Sequence, residues 1–280
     1  MKAYVNGDFV EEQDARVTVF DAGFLLGYGA FETMRSYGGK VFRLGPHLRR
    51  LNDTCAALGI PFQGEPAWLH ETVTKLLNLN ALTEARVRLT VTAGDSRPTF
   101  SRPTVVITAA AFTGTQPSDG LWRACLYRGT ANSHNFLRQH KTTSRLEYVL
   151  ARKEAKKNGF EETLFVNEMG YITEGSVTNV FCVRDGTVYT PPVEEGLLPG
   201  VTREVVAELS RDAGLSFFES KLCLADFVYC EEAFLTNSVI EIVPLVAIGD
   251  VQIGRKEPGP LTVMLQEAYR VLVRRELNIG

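Results

Sequence analysis

Apolar and polar residues recur along this chain with two different periods, which predict helices and strands. In residues 42–59, apolar side chains return every three or four positions, as on a helix with one buried face. Residues 85–92 alternate with a period of two, which is typical of a strand with one buried face. Asn6-Gly7 separates two short alternating runs and predicts a tight hairpin turn, because both residues accept positive φ angles.

The same patterns, with glycine and proline as stop signals, predict most of the remaining elements. Glu174 falls between two predicted strands and is expected in a loop. Further helices are predicted over 66–79, 145–158 and 201–213, and further strands over 103–112, 121–127, 162–166, 179–184 and 188–190.

Mixed strands and helices predict an α/β (α+β) protein of two domains. Residues 113–120 have the composition of turns and linkers. We therefore expect a small N-terminal α/β domain over 1–114, an interdomain linker over 115–120 and a larger C-terminal domain over 121–280. A chain of 280 residues with 45% hydrophobic content has enough apolar material for two cores.

Charge and composition exclude several function classes. A formal net charge of -3 provides no broad attraction for nucleic acid or an anionic membrane. The chain shows neither a signal-like start nor an apolar run of membrane-spanning length, so we expect a cytoplasmic protein. Its five scattered cysteines and four histidines have no metal-ligand spacing, and we expect neither a disulfide framework nor a metal site.

Three segments in order carry candidate chemistry. Lys141 can bind an aldehyde covalently, and Glu174 can keep a pyridine nitrogen protonated. Residues 197–204 place a glycine and Thr202, in a capping position, at the start of a predicted helix, whose N-terminus suits a phosphate. Together these are the parts that pyridoxal 5'-phosphate requires, although each motif alone is weak.

The order of these motifs resembles the fold-type IV pyridoxal-phosphate enzymes, also called class IV aminotransferases, over the whole chain. Residues 21–33, 46–51 and 235–244 contribute to the resemblance. The family includes branched-chain and D-amino-acid aminotransferases, R-selective amine transaminases and 4-amino-4-deoxychorismate lyases. The resemblance implies that the larger C-terminal domain is pseudo-barrel-like, that the cofactor binds between the domains and that the protein is a homodimer.

The resemblance also implies roles for individual residues. Lys141 becomes the Schiff-base lysine and proton shuttle, and Glu174 becomes the partner of the ring nitrogen. Leu198 supports one face of the ring. The phosphate ligands are Arg50, Ser238, and Thr202 together with the amides of Val201 and Thr202.

For the substrate, the resemblance favours Arg88 as the group that binds a carboxylate, with Arg97 as a second candidate. An arginine forks onto a carboxylate through two hydrogen bonds, which a lysine cannot reproduce. Phe31, Thr33 and Asn237 complete the candidate substrate residues. A phenolic partner for the cofactor's ring hydroxyl has no candidate.

The reaction is less well defined by sequence. Transamination between an amino donor and a keto-acid acceptor is favoured, with D-amino acids preferred. The tyrosine of the branched-chain group is absent at Arg86, and so is the arginine-x-histidine pair of D-amino-acid aminotransferases. Residues 141–152 and 236–244 resemble the lyase, so elimination to 4-aminobenzoate and pyruvate is the alternative, and branched-chain transamination is a further one. A chain of this fold without turnover is a last alternative, against which intact Lys141 and Glu174 argue.

Overall fold

A computed structural model describes residues 1–95, 97, 102–114 and 120–279, which divide into two compact units. Unit 1 comprises Met1–Thr113, His140–Ser144 and Val273–Gly280, and unit 2 comprises Gly114–Gln139 and Arg145–Leu272. The segment that contains Lys141 therefore belongs with the N-terminal residues, which a division at a single linker does not anticipate. Residues 115–119 of the predicted linker lie outside the described residues.

Unit 1 contains one antiparallel sheet of six strands, in the order β2-β1-β6-β5-β3-β4. Its elements are β1 (Lys2–Val5), β2 (Asp8–Glu11), α1 (Ala22–Leu26), β3 (Gly29–Tyr37), β4 (Lys40–Val41), α2 (Leu44–Ala57), α3 (Pro66–Leu79), β5 (Ala85–Thr92) and β6 (Thr104–Ala111).

The core of unit 1 forms where α2 and α3 cover one face of this sheet. Leu51 and Leu76 of the helices and Leu89 of β5 are fully buried. Because side chains alternate along β5, the same strand turns Arg86 and Arg88 to the opposite face. The predicted hairpin is also present, with φ of 49° at Asn6 and 113° at Gly7.

Unit 2 is built on a nine-stranded mixed sheet that curls into a half-barrel. Its path is β12-β11-β10-β13-β14-β7-β8-β9, with β15 paired to β14. Its elements are β7 (Trp122–Leu126), α4 (Leu146–Lys157), β8 (Glu162–Val166), β9 (Ile172–Gly175), β10 (Asn179–Arg184), β11 (Thr187–Thr190), α5 (Val201–Asp212), β12 (Phe217–Glu219), α6 (Leu224–Val228), β13 (Glu232–Asn237), β14 (Glu241–Ile248), β15 (Val251–Gln252) and α7 (Pro260–Leu277), whose last residues are assigned to unit 1.

The two sheets confirm the predicted α/β class and the barrel-like character of the larger part. Strands 85–92, 162–166 and 179–184 and helix 66–79 have the predicted bounds, and the other predicted elements lie within two residues of theirs. One expectation is wrong, because Glu174 lies in strand β9 and not in a loop. Among the described residues, no helix combines the length and apolarity that crossing a membrane requires.

Candidate active site

The Lys141 segment is held by backbone pairing with the first residues of strand β3. The amide of Phe31 donates to the carbonyl of Lys141 at 2.9 Å, and the amide of Thr143 donates to the carbonyl of Gly29 at 2.8 Å. Ala30 and Thr142 form the antiparallel bridge between these two bonds. The pairing therefore sets Lys141 directly opposite Phe31, with both side chains on the same face.

Three predicted residues of unit 1 share this face. Thr33 of β3 is paired with Arg88 of β5, and Phe31 lies two residues earlier on β3. The Phe31 ring centre is 4.9 Å from the Lys141 Nζ and 3.9 Å from the Arg88 guanidinium carbon. One aromatic ring therefore neighbours both an amine and a group able to bind a carboxylate.

The Arg88 guanidinium is partly desolvated although its side chain is exposed overall. Burial, followed by the positive charge of Arg86, lowers the pKa of Arg88. A lowered arginine pKa still leaves the group cationic at neutral pH, and Nε donates to Thr90 Oγ1 at 3.2 Å. A carboxylate at this position would offset the desolvation and the repulsion from Arg86.

Arg50, a predicted phosphate ligand, forms an ion pair on the other face of the sheet. Its Nε and Nη2 donate to the two oxygens of Glu32 at 2.7 and 2.8 Å. His47 Nδ1 lies 2.7 Å from Glu32 Oε2, and Glu32 is only 1% exposed. This pair uses one edge of the guanidinium and fixes its plane, so any phosphate contact is made by a prepositioned Arg50.

The electrostatics of this cluster keep Glu32 charged and His47 neutral. Burial alone would raise the pKa of Glu32, but the charges and hydrogen bonds of Arg50 and His47 outweigh it and hold that pKa far below its usual range. Burial lowers the pKa of His47, Glu32 opposes this, and the positive charges of Arg50 and Lys141 add to the lowering. Because an ionised Glu32 can only accept, His47 Nδ1 is the donor.

Arg97, the second candidate for the substrate carboxylate, is engaged within its own loop. Its Nε and Nη2 donate to the oxygens of Asp95 at 3.1 and 3.0 Å, and its guanidinium carbon lies 3.2 Å from the Phe20 ring centre. The side chain is exposed. Arg88 is therefore the stronger candidate in unit 1, since it neighbours the same ring as Lys141 does.

Glu174 of unit 2 is a buried carboxylate with a donor on each oxygen. Its side chain is 3% exposed, Tyr148 Oη donates to Oε1 at 3.0 Å, and the amide of Leu198 donates to Oε2 at 3.1 Å. Burial raises the pKa of Glu174, and the opposing influences of Arg145, the Leu198 amide and Tyr148 do not cancel it. A cationic ring nitrogen would compensate a carboxylate in this environment.

Sequence reasoning missed two residues that hold Glu174. Tyr148 lies on α4, and its phenol accepts from Arg138 Nη1 at 3.1 Å. Tyr148 lies inside the segment 141–152 that resembles the lyase, but the resemblance gives it no role, and Arg138 belongs to no motif. The sequence offers only the general rule that a buried acid needs hydrogen-bond donors, and this rule does not say which residues provide them.

A third missed residue, Glu162, organises the loop after Glu174. This acid is fully buried on β8, and its oxygens accept from the amides of Ser176 at 3.1 Å and Val177 at 3.3 Å and from Thr178 Oγ1 at 3.1 Å. The Ser176 hydroxyl donates to it as well. A carboxylate that accepts this many local donors fixes the backbone of the loop, and therefore the direction of Glu174.

The N-terminus of α5 has the form of an anion site, but its cap differs from the expectation. Gly200 is the N-cap and Thr202 lies within the first turn, buried, so the capping position expected for this threonine is wrong. A Cβ on Gly200 would lie 2.0 Å from Asn179 Oδ1, and Asn179 Nδ2 donates to the carbonyl of Leu198. The first amides of a helix, here those of Val201 and Thr202, have no partner within the helix and can bind a phosphate.

Asn237 and Ser238 lie where β13 turns into β14. Asn237 Oδ1 accepts from the amides of Val239 at 2.8 Å and Ile240 at 2.9 Å, and its Nδ2 donates to the carbonyl of Val177 at 3.0 Å. The Asn237 side chain thus shapes the turn, and its substrate contact stays a prediction, as does the phosphate contact of Ser238.

Over the described residues, no cluster of histidine, cysteine and acidic side chains could hold a metal ion.

The sequence profile of the family named "Amino-transferase class IV" matches residues 29–248. The chain belongs to this family. It is 35% identical, over 96% of both chains, to a protein of Methanocaldococcus jannaschii provisionally named a branched-chain-amino-acid aminotransferase. It is 33% identical to the aminodeoxychorismate lyase of Bacillus subtilis, over 98% of this chain and 96% of the lyase.

Two further likenesses complete the comparison. The D-alanine aminotransferase of Staphylococcus haemolyticus is 29% identical over 96% of both chains. The crystal structure of the Escherichia coli branched-chain amino acid aminotransferase superposes with a TM-score of 0.91 at 27% identity, covering 97% of this chain and 94% of that one. The predicted family is confirmed, and this class IV aminotransferase resembles transaminases of both stereochemical types and a lyase.

Class IV aminotransferases use pyridoxal 5'-phosphate, so the predicted cofactor is confirmed. The residues present fit this group. Unit 1 contains the Lys141 amine beside Phe31. Unit 2 contains the buried Glu174, whose charge a cationic nitrogen would compensate, and the N-terminus of α5, where Gly200 provides no side-chain cap. The individual contacts of these residues with the cofactor remain predictions.

Proposed function

We propose that this enzyme transfers the amino group of an amino acid to a 2-oxo acid and that Lys141 carries the cofactor covalently. The arrangement of Lys141, Phe31 and Arg88 on one sheet face is the single observation that carries the proposal. Transamination needs a nucleophilic amine and a clamp for the α-carboxylate, and this face offers both.

The cofactor supplies an electron sink that makes the α-proton of an amino acid removable. In the proposal, Lys141 moves that proton, because its neutral amine is a base once an incoming amino group has displaced it. Glu174 keeps the ring nitrogen of the cofactor protonated. The amides of Val201 and Thr202, with Arg50 and Ser238, hold the phosphate, and Leu198 supports the ring.

Borohydride reduction followed by peptide mass spectrometry tests the role of Lys141 without relying on activity. Reduction fixes a covalently bound cofactor on its lysine, and we expect the added mass on the peptide that contains Lys141. Lys141→Ala is expected to lose this mass, the visible absorbance of bound cofactor and turnover. Lys157→Ala, on the exposed last turn of α4, is the matched control and keeps all three. Added mass on another lysine, or turnover by Lys141→Ala, would refute the assignment.

Arg88→Gln tests the carboxylate clamp. We expect an increase in KM of about 10- to 100-fold for amino acids, since a charge-assisted bond contributes about 1.5–3 kcal/mol. An amine donor without a carboxylate is expected to be unaffected. Arg86→Gln removes the same charge two residues away on the same face and is the control. Equal KM changes in both variants would contradict the clamp.

For the donor, we propose D-amino acids over branched-chain L-amino acids. The absent tyrosine at Arg86 supports this preference, and so does the likeness to the D-alanine aminotransferase. The provisional branched-chain name of the archaeal relative favours the opposite preference. A screen with D-alanine and L-leucine decides, because a higher kcat/KM for L-leucine rejects the D preference while leaving transamination in place.

The second candidate reaction is elimination on 4-amino-4-deoxychorismate. The likeness to the Bacillus subtilis lyase supports it, and in that reaction Thr33, which pairs with Arg88 on the sheet, is the candidate to assist transfer of the leaving proton. Release of 4-aminobenzoate and pyruvate from aminodeoxychorismate, without exchange between amino and 2-oxo acids, would replace the first proposal by this one.

We also propose a cytoplasmic homodimer. In unit 1, the short helix α1 exposes Phe24, Leu25 and Leu26 at 72%, 55% and 69%. A continuous apolar surface of this kind is typical of a protein interface. Light scattering of the purified protein measures its mass in solution and so tests the homodimer, and a monomeric mass at all concentrations would reject it.

A further inference from the structure

The buried acid of unit 2 is held by a neutral donor that a cation orients. Tyr148 Oη donates to Glu174 Oε1 at 3.0 Å, and the phenol itself accepts from Arg138 Nη1 at 3.1 Å. A guanidinium has donors only, so the phenol oxygen accepts from Arg138 and its own proton is available to an ionised Glu174. With Glu174 ionised, the positive charge of Arg138 therefore favours this direction of the hydrogen bond.

Arg138 is itself built into the unit. Its side chain is 5% exposed, its Nη2 donates to Glu147 Oε2 at 2.8 Å, and its guanidinium carbon lies 5.2 Å from the Phe165 ring centre. Burying a cation is costly, and one that is retained next to a phenol polarises that phenol into a stronger donor. Arg138 therefore strengthens the bond from Tyr148 to Glu174.

Arg145 holds the ring of Tyr148 from another side. Its guanidinium carbon lies 3.3 Å from the centre of the Tyr148 ring, and its Nη2 donates to the carbonyl of Ser176 at 3.0 Å. The phenol is thus fixed by the same residue that contacts the loop after Glu174. Among the described residues, Arg138 and Arg145 act on Glu174 through their charges and through Tyr148, and neither forms a direct ion pair with it.

This arrangement matters for a proton that Glu174 would share with a ring nitrogen. Burial makes a carboxylate more basic, and a very basic carboxylate would take the proton for itself. Donors on its oxygens reduce its basicity and leave the proton on the nitrogen. The sharing of the proton therefore depends on the charges of Arg145 and Arg138 and on how strongly Tyr148 and the Leu198 amide donate.

We propose that Tyr148, oriented by Arg138, is a positioning residue that keeps Glu174 ionised so that the ring nitrogen of the cofactor retains its proton. The inference rests on the proposed function, because it assumes that Glu174 pairs with that nitrogen. It assigns a role to two residues, Tyr148 and Arg138, that the sequence motifs leave without one.

The test uses Tyr148→Phe, which removes only the hydroxyl. Tyr127→Phe is the matched control, because the Tyr127 ring lies 4.7 Å from Phe165, as the Tyr148 ring lies 4.8 Å from it, while Tyr127 interacts with Glu147 and not with Glu174. Both holoenzymes and the wild type are loaded with pyridoxal phosphate labelled with ¹⁵N in the ring. The ¹⁵N chemical shift then reports the proton on that nitrogen directly.

We expect a pyridinium-like shift in the wild type and in Tyr127→Phe, and a displacement toward the unprotonated value in Tyr148→Phe. We also expect kcat to fall about 10- to 100-fold in Tyr148→Phe with little change in KM, as the loss of a bond to a charged group implies. An unchanged shift and an unchanged kcat in Tyr148→Phe would overturn the inference.

Circular dichroism and the melting temperature verify that Tyr148→Phe folds. If it does not, Arg138→Gln serves instead, since it keeps a donor beside the phenol but removes the charge, and an unchanged ¹⁵N shift in that variant overturns the inference equally. Failure of the proposed function is distinguishable, because a wild-type protein that takes up no cofactor on Lys141 refutes both. A loaded wild type with an unresponsive Tyr148→Phe variant refutes only this inference.

Discussion

Replacing Glu32 by glutamine is expected to destabilise unit 1 strongly, although the change removes no carbon atom. Glu32 is 1% exposed and accepts from Arg50 Nε, Arg50 Nη2 and His47 Nδ1 within 2.8 Å. A glutamine retains one acceptor oxygen and turns an amide toward at least one of these donors. The Arg50 charge then stays in place without a counter-charge from residue 32.

Breaking a buried ion pair by removing one partner costs about 3–5 kcal/mol. Arg50 retains 12% exposure, so its charge reaches some water, and we expect the lower limit of about 3 kcal/mol. For a protein of this size, that corresponds to a decrease in melting temperature of roughly 6–12 °C. Glu11→Gln is the control, since Glu11 binds Lys2 at 2.6 Å but is 49% exposed, so water screens the pair and its loss should leave the melting temperature almost unchanged.

The pH dependence provides a second signature of the same pair. Because the pKa of Glu32 is depressed in the folded state, its contribution is fully present above the ordinary value of 4.5 and is lost as the pH falls through the depressed pKa. Urea unfolding from pH 8 to pH 3 is therefore expected to show a gap between wild type and Glu32→Gln that shrinks only in acid. A gap no larger than that of Glu11→Gln at pH 7 would refute the reasoning.

Three further predictions concern unit 2. Gly200→Ala places a Cβ 2.0 Å from Asn179 Oδ1, so either Asn179, which holds the carbonyl of Leu198, or the start of α5 must shift. Equilibrium dialysis is expected to show weaker binding of cofactor and of free phosphate, and unchanged affinity for both would contradict the anion site. Glu162→Gln leaves one or two donors of the loop, such as the Ser176 amide, without an acceptor, and each loss is expected to lower the free energy of unfolding by about 1–3 kcal/mol. Urea unfolding measures this, and an unaltered midpoint would contradict the role of Glu162 in the loop. The raised pKa of Glu174 implies that the cofactor-free protein loses stability as the pH rises through that pKa. In Glu174→Gln this pH-dependent loss should be absent, and calorimetry of both proteins across that pH range measures it. An identical pH profile for the two proteins would contradict the prediction.

The elements that the sequence predicted well are those with a local cause. Residues 85–92 alternate because one face of β5 is buried, and helix 66–79 begins with a proline, which suits the first turn. Glu174 was misplaced for a local reason too, since Gly170 and Gly175 on either side are typical of a loop. In the structure, Gly175 ends strand β9, where Glu162 packs against it.

Long-range pairing explains what the sequence left open. Lys141 was identified by the order of motifs, but its backbone pairing with Phe31 joins residues 110 positions apart, and no period within either segment encodes it. The same holds for Tyr148 and Glu174, which meet only because α4 and β9 belong to one unit. Local patterns predict which face of an element is buried, and they do not predict which polar partner it meets there.

The two buried acids, Glu32 and Glu174, show why burial alone does not decide the role of a carboxylate. Both are at most 3% exposed, and burial raises the pKa of each. Glu32 receives two hydrogen bonds from a guanidinium, so its charge is neutralised within unit 1 and its pKa falls. Glu174 receives donors from a phenol and a backbone amide, which are neutral, and the charges of Arg145 and Arg138 act without a direct ion pair and do not outweigh burial. The first arrangement suits a permanent structural anion, whereas the second remains open to a cation that binds later, which a protonated ring nitrogen supplies.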